Sequence, residues 1–152
     1  MSSESEEYLA YMTHMRAEHK RLRECVLRIE EQWPFQHEPP RQPDVSPLVI
    51  ESLGALRADL AHHFEEEESG GCLEEAVSRQ PNLSRDANRL EHEHPELLEQ
   101  IDRMIEGLQA LSRPAASTAK IKQDFRAFTE KLLAHEAAEN RILKESFGIE
   151  VD

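Results

Sequence analysis

The stretches LAHHFEEE at 60–67 and LLAHEAAE at 132–139 decide how this chain is read. In each, a leucine is followed three residues on by a histidine, and four further on by a glutamate. At helical pitch Leu60, His63 and Glu67 share one face, as do Leu132, His135 and Glu139. Read outward, the same 4-3-4-3 spacing continues through Val49, Leu53 and Leu56 on one side and through Ile121, Phe125, Phe128 and Ile142 on the other. Two further stretches repeat it. One runs Tyr8, Met12, Met15, His19, Leu22, Val26, Ile29, Trp33; the other runs Leu83, Ala87, Leu90, His94, Leu97, Ile101, Met104, Leu108, Leu111. Such seams belong to helices packed around a shared core.

Breakers and caps bound the helices. Pro34 ends a first helix over about 6–33, and the proline-rich stretch 34–46 reads as a long connector. Ser46-Pro47 opens a second helix, over 47–69, which Gly70-Gly71 ends. A short helical piece over 73–79 precedes Pro81. Ser84 reads as the N-cap of a third long helix, over 84–112, and Ser117 or Thr118 as the start of a fourth, over 117–147. Pro95 falls inside the third, where a kink is expected. The expected fold is all-α: an up-down-up-down antiparallel four-helix bundle, one domain over 1–152, with a short extra helix between helices two and three.

Length and composition agree. At 152 residues the chain can bury a real core. Asp and Glu outnumber Lys and Arg by 31 to 18, a formal charge of −13. That field sets nucleic acid and anionic membrane surfaces aside as partners. The N-terminus lacks the basic start and apolar run of a signal peptide, and Cys25 and Cys72 form no Cys-x-x-Cys pair. Reduced thiols and a cytoplasmic location are expected.

Polar residues interrupt the seams once per helix: His19, His63, His94 and His135, with Glu67 and Glu139 added on the second and fourth. Left bare in an apolar core, each ionised group costs several kcal/mol. A metal ion relieves that cost by coordinating imidazole nitrogen and carboxylate oxygen. Register supports it. At a 1.5 Å rise, His19 lies about 21 Å from Trp33, His63 about 24 Å from Pro47, and His94 and His135 each about 26 Å from the matching helix ends. Antiparallel neighbours then bring all six side chains to one level. An internal duplication agrees, since EHKRL at 18–22 pairs with EHPEL at 93–97, and LAHHFEEE with LLAHEAAE. A pair of metal ions with two bridging glutamates follows from the pseudo-twofold.

Histidines off the seams read differently. His62 and His92 point about 100° and 160° away from them. With His14 and His37 they are expected on the surface, and Glu65, Glu66 and Glu68 are expected to form a solvated acidic patch.

These motifs, in this order, resemble the haemerythrin-like (HHE cation-binding) family from about Tyr8 to Ile142. The resemblance implies a non-haem di-iron centre bridged by two carboxylates, with His19, His63, Glu67, His94, His135 and Glu139 as ligands. It departs from the oxygen carriers of that family, which resemble this pattern but have a second histidine one turn from the first on the third helix. Leu90 and Leu98 hold those positions here, and neither ligates. The expectation is a di-iron protein that binds O2 or a related small ligand, such as peroxide or NO, for sensing, storage or scavenging. The alternatives are a di-iron enzyme acting on peroxide, NO or O2, and a structural bundle that docks a partner. No organic-substrate pocket, nucleotide motif or redox cysteine pair is legible, which favours binding over catalysis. Zinc or manganese also suits the donor set, since affinity alone does not select iron.

Overall fold

A computed structural model describes residues 3–33, 46–70, 72–110 and 114–148. Four long helices, α1 (Ser3–Gln32), α2 (Ser46–Gly70), α4 (Ser84–Gln109) and α5 (Pro114–Phe147), are joined by the short α3 (Cys72–Arg79) and a 3-10 turn, Pro81–Leu83. Side-chain pairs fix the packing. On α1 and α2, Gln32 meets Ser52, Arg21 meets Asp59, and His14 meets Glu66. On α2 and α4, Arg57 grips Asp102 through two hydrogen bonds of 2.6 and 3.2 Å, while Glu68 meets His94. On α4 and α5, Glu96 meets Lys131 and Glu93 meets His135. On α5 and α1, Glu136 meets Arg23 and Glu139 meets His19. In every pair one number rises as the other falls, so all four neighbours are antiparallel and the ring closes as an up-down-up-down bundle.

The seams are the core. Every described seam side chain is buried, from Met12 on α1 to Ile142 on α5. The side chain of Tyr8, Leu111 and the connector 34–45 lie outside the described residues, as do His37 and the side chain of Cys72. Cys25 is unbridged, and burial together with the nearby Asp59 carboxylate pushes its thiol pKa up. No described helix is long and apolar enough to cross a membrane.

Apolar packing divides into two clusters with a gap between them. One, running from Trp33, Val49 and Ile121 to Leu22, Leu97 and Leu132, fills one end. The other holds Met12, Leu90, Ile142 and Leu143, closed by Leu73 and Ala76 of α3 and by Leu83. The seam histidines and glutamates occupy the level between. α3 therefore plugs the bundle beneath them. It also buries Leu143, which lies off the α5 seam and widens the buried face of that helix.

Two helix starts differ from expectation. Ser84 does not cap α4. The chain breaks at Gln80 (φ −135°, ψ 89°), Pro81 opens the 3-10 turn, and the Ser84 N–H bonds back to the Pro81 carbonyl, so the turn runs straight into the helix. Gln80 Nε2 donates to the Glu145 carbonyl at 2.8 Å and ties this break to the last turns of α5. α5 begins at Pro114, not at Ser117 or Thr118. Proline fits a first helical position, where its missing N–H has no partner to lose. α4 continues through Pro95 without interruption. α5 ends at Gly148, whose φ of +69° is the left-handed turn that glycine adopts freely, and whose N–H bonds the Lys144 carbonyl.

Phe128 is fully buried in the larger cluster, whereas Leu133 is 45% exposed on the same helix. Phe128→Ala is expected to lower unfolding free energy by about 3–5 kcal/mol. Leu133→Ala is expected to stay within about 0.5 kcal/mol. Urea unfolding of both variants checks the core assignment.

Candidate metal centre

At the level between the two clusters, the structure brings all six seam residues together. His19, His63, His94, His135, Glu67 and Glu139 are each at most 3% exposed. Glu67 extends from α2 between two rings, Oε1 at 2.5 Å from His63 Nε2 and Oε2 at 3.0 Å from His94 Nε2. Glu139 extends from α5 between the other two, Oε1 at 3.4 Å from His19 Nε2 and Oε2 at 3.9 Å from His135 Nε2. Each carboxylate thus spans both halves. His19, His63, Glu67 and Glu139 each offer a donor atom within 4.8 Å of the others, and so do Glu67, His94 and His135. Within each half the rings meet edge-on, His19 with His63 and His94 with His135, both at 5.0 Å between centroids.

Beyond the close charge contacts of Glu67 with His63 and His94, the layer does not form a hydrogen-bonded network. His19 Nε2, His94 Nε2, His135 Nε2 and all four oxygens of Glu67 and Glu139 are buried without a hydrogen-bond partner. Buried polar atoms normally find one. Here the donor atoms converge on one another, which is how a coordination sphere is built and how a hydrogen-bonded core is not.

The opposite ring nitrogens are held from outside. His63 Nδ1 lies 2.9 Å from Glu18 Oε1, His135 Nδ1 lies 2.8 Å from Glu93 Oε1, and His94 Nδ1 lies 3.4 Å from Glu68 Oε1. A carboxylate there keeps the proton on Nδ1 and turns the Nε2 lone pair inward. Glu18 and Glu93 were missed in the sequence, although each directly precedes a seam histidine in the duplicated EH motif. Each serves the histidine of the neighbouring helix, not the one beside it. Of the expected acidic patch, Glu65 and Glu68 are exposed, though Glu68 also lies against His94, and Glu66 is partly buried and pairs with His14 and His62.

Two more residues border the layer. Phe64 stacks on His94 at 3.9 Å with 9° between planes, and meets His135 edge-on at 5.4 Å. Its counterpart in the duplication is Glu136, buried beside Arg23 at 3.6 Å, with Oε1 unpaired. Of the off-seam histidines, His14, His62 and His92 are exposed, and His92 bonds its own helix at the Asn88 carbonyl.

A family model of the hemerythrin HHE cation-binding domain matches residues 11–146. The chain belongs to the hemerythrin HHE cation-binding family. No curated protein and no solved structure matches it. Membership implies a bound metal, and the layer fits one, because imidazole and carboxylate donors suit first-row transition ions and the orphaned atoms have no other use.

Side-chain electrostatics in this HHE layer are unbalanced. Burial, reinforced by the nearby His63, lowers the His19 pKa to about 4, and burial lowers that of His135 too. Burial opposes a charged His63 as well, but Glu67 and Glu18 prevail and raise its pKa to about 9. Glu67 is held well below the usual carboxylate range, its contacts with His63 and His94 overcoming burial. Glu139 is pushed well above that range by burial and by the Glu67 charge, and burial brings Glu136 to about 7.

Two expectations follow. Glu93→Gln should weaken metal affinity about 10–100-fold while leaving helicity unchanged. Glu96→Gln, on the exposed face of the same helix, should not, and metal-competition titrations with circular dichroism compare them. The second concerns pH. Between pH 6.5 and 9 folded His63 keeps a proton that the unfolded chain has lost. Folded chains then bind more protons, so the metal-stripped protein should lose stability across that window as pH rises. The metal-loaded protein should not, because fewer protons compete for its ligands. Thermal melts of both forms from pH 6.5 to 9 read the difference, and parallel curves would count against a metal layer.

Proposed function

We propose that this layer holds two iron ions and that the protein binds O2 or a related small ligand, such as peroxide or NO, for sensing, storage or scavenging. The first ion would take His19, His63 and one oxygen from each of Glu67 and Glu139. The second would take His94, His135 and the remaining oxygens. The observation that carries the reading is the convergence of buried donor atoms from four helices into two adjoining sets that share Glu67, with Glu139 in the first set and 3.9 Å from His135 of the second. When bound, an iron pair supplies electron exchange with small oxidants at positions the protein does not fill. With Leu90 and Leu98 one turn from His94, α4 adds no second histidine, so fewer positions are filled than in an oxygen carrier of this pattern.

The chain's own residues have separable tasks. Glu18, Glu93 and Glu68 hold protons at Nδ1 of His63, His135 and His94 and so fix ring direction. Phe64 covers the His94 ring and keeps water from that side. Glu67 and Glu139 carry the negative charge that offsets the cations. On loading at pH 7, the proton at His63 Nε2 must leave, so uptake should release protons.

Glu136 supports a second reading, a di-iron enzyme acting on peroxide, NO or O2. Its carboxyl, with a pKa near 7, can hold or give a proton beside the His19 half. Stopped-flow mixing of the reduced protein with O2 and with peroxide separates the two: a reversible O2 spectrum supports binding, and catalytic turnover supports an enzyme.

Metal analysis of freshly purified protein is the primary test. About two transition ions per chain are expected, with iron as the metal, though zinc or manganese would fit the same donors. His63→Ala and His135→Ala should each cut metal content sharply, and His92→Ala should leave it unchanged. A content well below one ion per chain would sink the reading and leave a structural bundle that docks a partner.

A further inference from the structure

Outside the buried layer, four side chains converge where α1 and α2 face solvent, and only one of them, Glu18, also touches the layer. His14 and Glu18 come from α1, and His62 and Glu66 from α2. Each pair repeats the His-x-x-x-Glu spacing found inside the bundle at His63 and Glu67. His14 Nε2 lies 2.5 Å from Glu66 Oε2 and 3.4 Å from Glu18 Oε1, and His62 Nε2 lies 2.6 Å from Glu66 Oε1. Ligand atoms of His14, Glu18 and Glu66 all fall within 4.8 Å of one another. Donors that share a transition ion at about 2.0–2.2 Å from each lie about 3–4.4 Å apart, so His14 and Glu18 are already spaced for one and His14 and Glu66 need part only slightly.

Exposure grades outward. The Glu18 side chain is 14% exposed, Glu66 28%, His14 51% and His62 67%, so the cluster has a protein floor and an open mouth. A cleft of about 20 Å3, room for a single water, lies beside it, lined by Glu18, Arg21, Leu22, Asp59, His62 and His63. The duplication shows that bundle packing does not require the cluster. In the other half the matching positions are Arg89, Ala134 and Ala138, beside Glu93, and these cannot bind a cation.

We infer that His14, Glu18 and Glu66, with His62 on the far oxygen of Glu66, form a surface site for one divalent transition ion, distinct from the buried layer. Imidazole with carboxylate selects zinc, manganese or ferrous iron over calcium and magnesium, which prefer oxygen alone. Glu18 joins the two sites, since its Oε1 also faces His63 Nδ1 at 2.9 Å. The site stands without the di-iron reading, because none of its donors reaches the layer's centre.

The test is titration of the full chain with Co2+ after its buried layer has been loaded and free metal removed. Bound metal is counted, and the visible cobalt spectrum is followed. The wild type should take one ion beyond the buried complement. His14→Ala and the His14→Ala/His62→Ala pair should weaken that uptake at least about tenfold and leave the buried complement unchanged. Equal uptake by wild type and the double variant, or no uptake beyond the buried complement, overturns the site and means that these side chains only hydrogen-bond. A chain carrying His94→Ala and His135→Ala that remains helical should still take the outer ion. Failure of the buried layer to hold metal is thereby read separately from failure of this site.

Discussion

An ionised carboxylate in an apolar layer is stable only beside a compensating charge, and this bundle buries two of them at one level. Apolar clusters lie on either side, so water cannot reach Glu67 or Glu139 without opening the helices. Their surroundings differ: contacts with His63 and His94 hold Glu67 well down, while burial and the Glu67 charge push Glu139 well up. Side chains alone can therefore sustain one ion pair, His63 with Glu67, while Glu139, His19 and His135 are pushed toward neutrality. Cations at the centre would let both carboxylates ionise and all four imidazoles present lone pairs. The requirement is one of charge, and it holds whichever transition ion satisfies it.

Bringing six donors to one height demands accurate helix register, and the bundle secures it with polar pairs away from the centre. Arg57 and Asp102 lock α2 to α4 with a two-pronged contact, Lys131 and Glu96 pair α5 with α4, and Ser52 and Gln32 pair α2 with α1. Each exposed pair contributes little energy. Their value lies in geometry, because sliding one helix by a turn would break them and separate the layer. α3 supplies the remaining constraint. By packing Leu73 and Ala76 under the layer it closes the end of the bundle that would otherwise admit water.

The fold was legible because burial on a four-helix seam repeats at a fixed period. His19, His63, Glu67, His94, His135 and Glu139 stood out as polar residues in apolar positions. Ser84 was misread as a cap because Pro81 had already begun the turn that leads into the helix, and the start at Ser117 or Thr118 was placed too late because Pro114 opens α5. Glu18, Glu68 and Glu93 were missed for a different reason. Each serves a ring on another helix, so its role depends on the rotation of two helices about their axes, which periodicity along one chain does not encode. Phe64 and Glu136 lie about 100° around their helices from the seam histidines. They are buried only because α2 and α5 turn a broader face inward than a strict seam would.

Duplication gave the halves equal donors and left their surroundings unequal. Glu68 holds the His94 ring, but its counterpart is Asn140, and both Asn140 Oδ1 and His19 Nδ1 lack a hydrogen-bond partner. Phe64 walls the His94 half with an apolar ring, whereas Glu136 and Arg23 border the other half with polar groups. His94 has Glu68 at its outer nitrogen and Phe64 on one face, while the outer nitrogen of His19 has no hydrogen-bond partner. A pseudo-symmetric scaffold thus carries one half with an apolar wall and one with a polar wall. The unpaired outer nitrogen of His19 and the titratable Glu136 both lie on that polar side, so the two halves are chemically distinct despite matching donors.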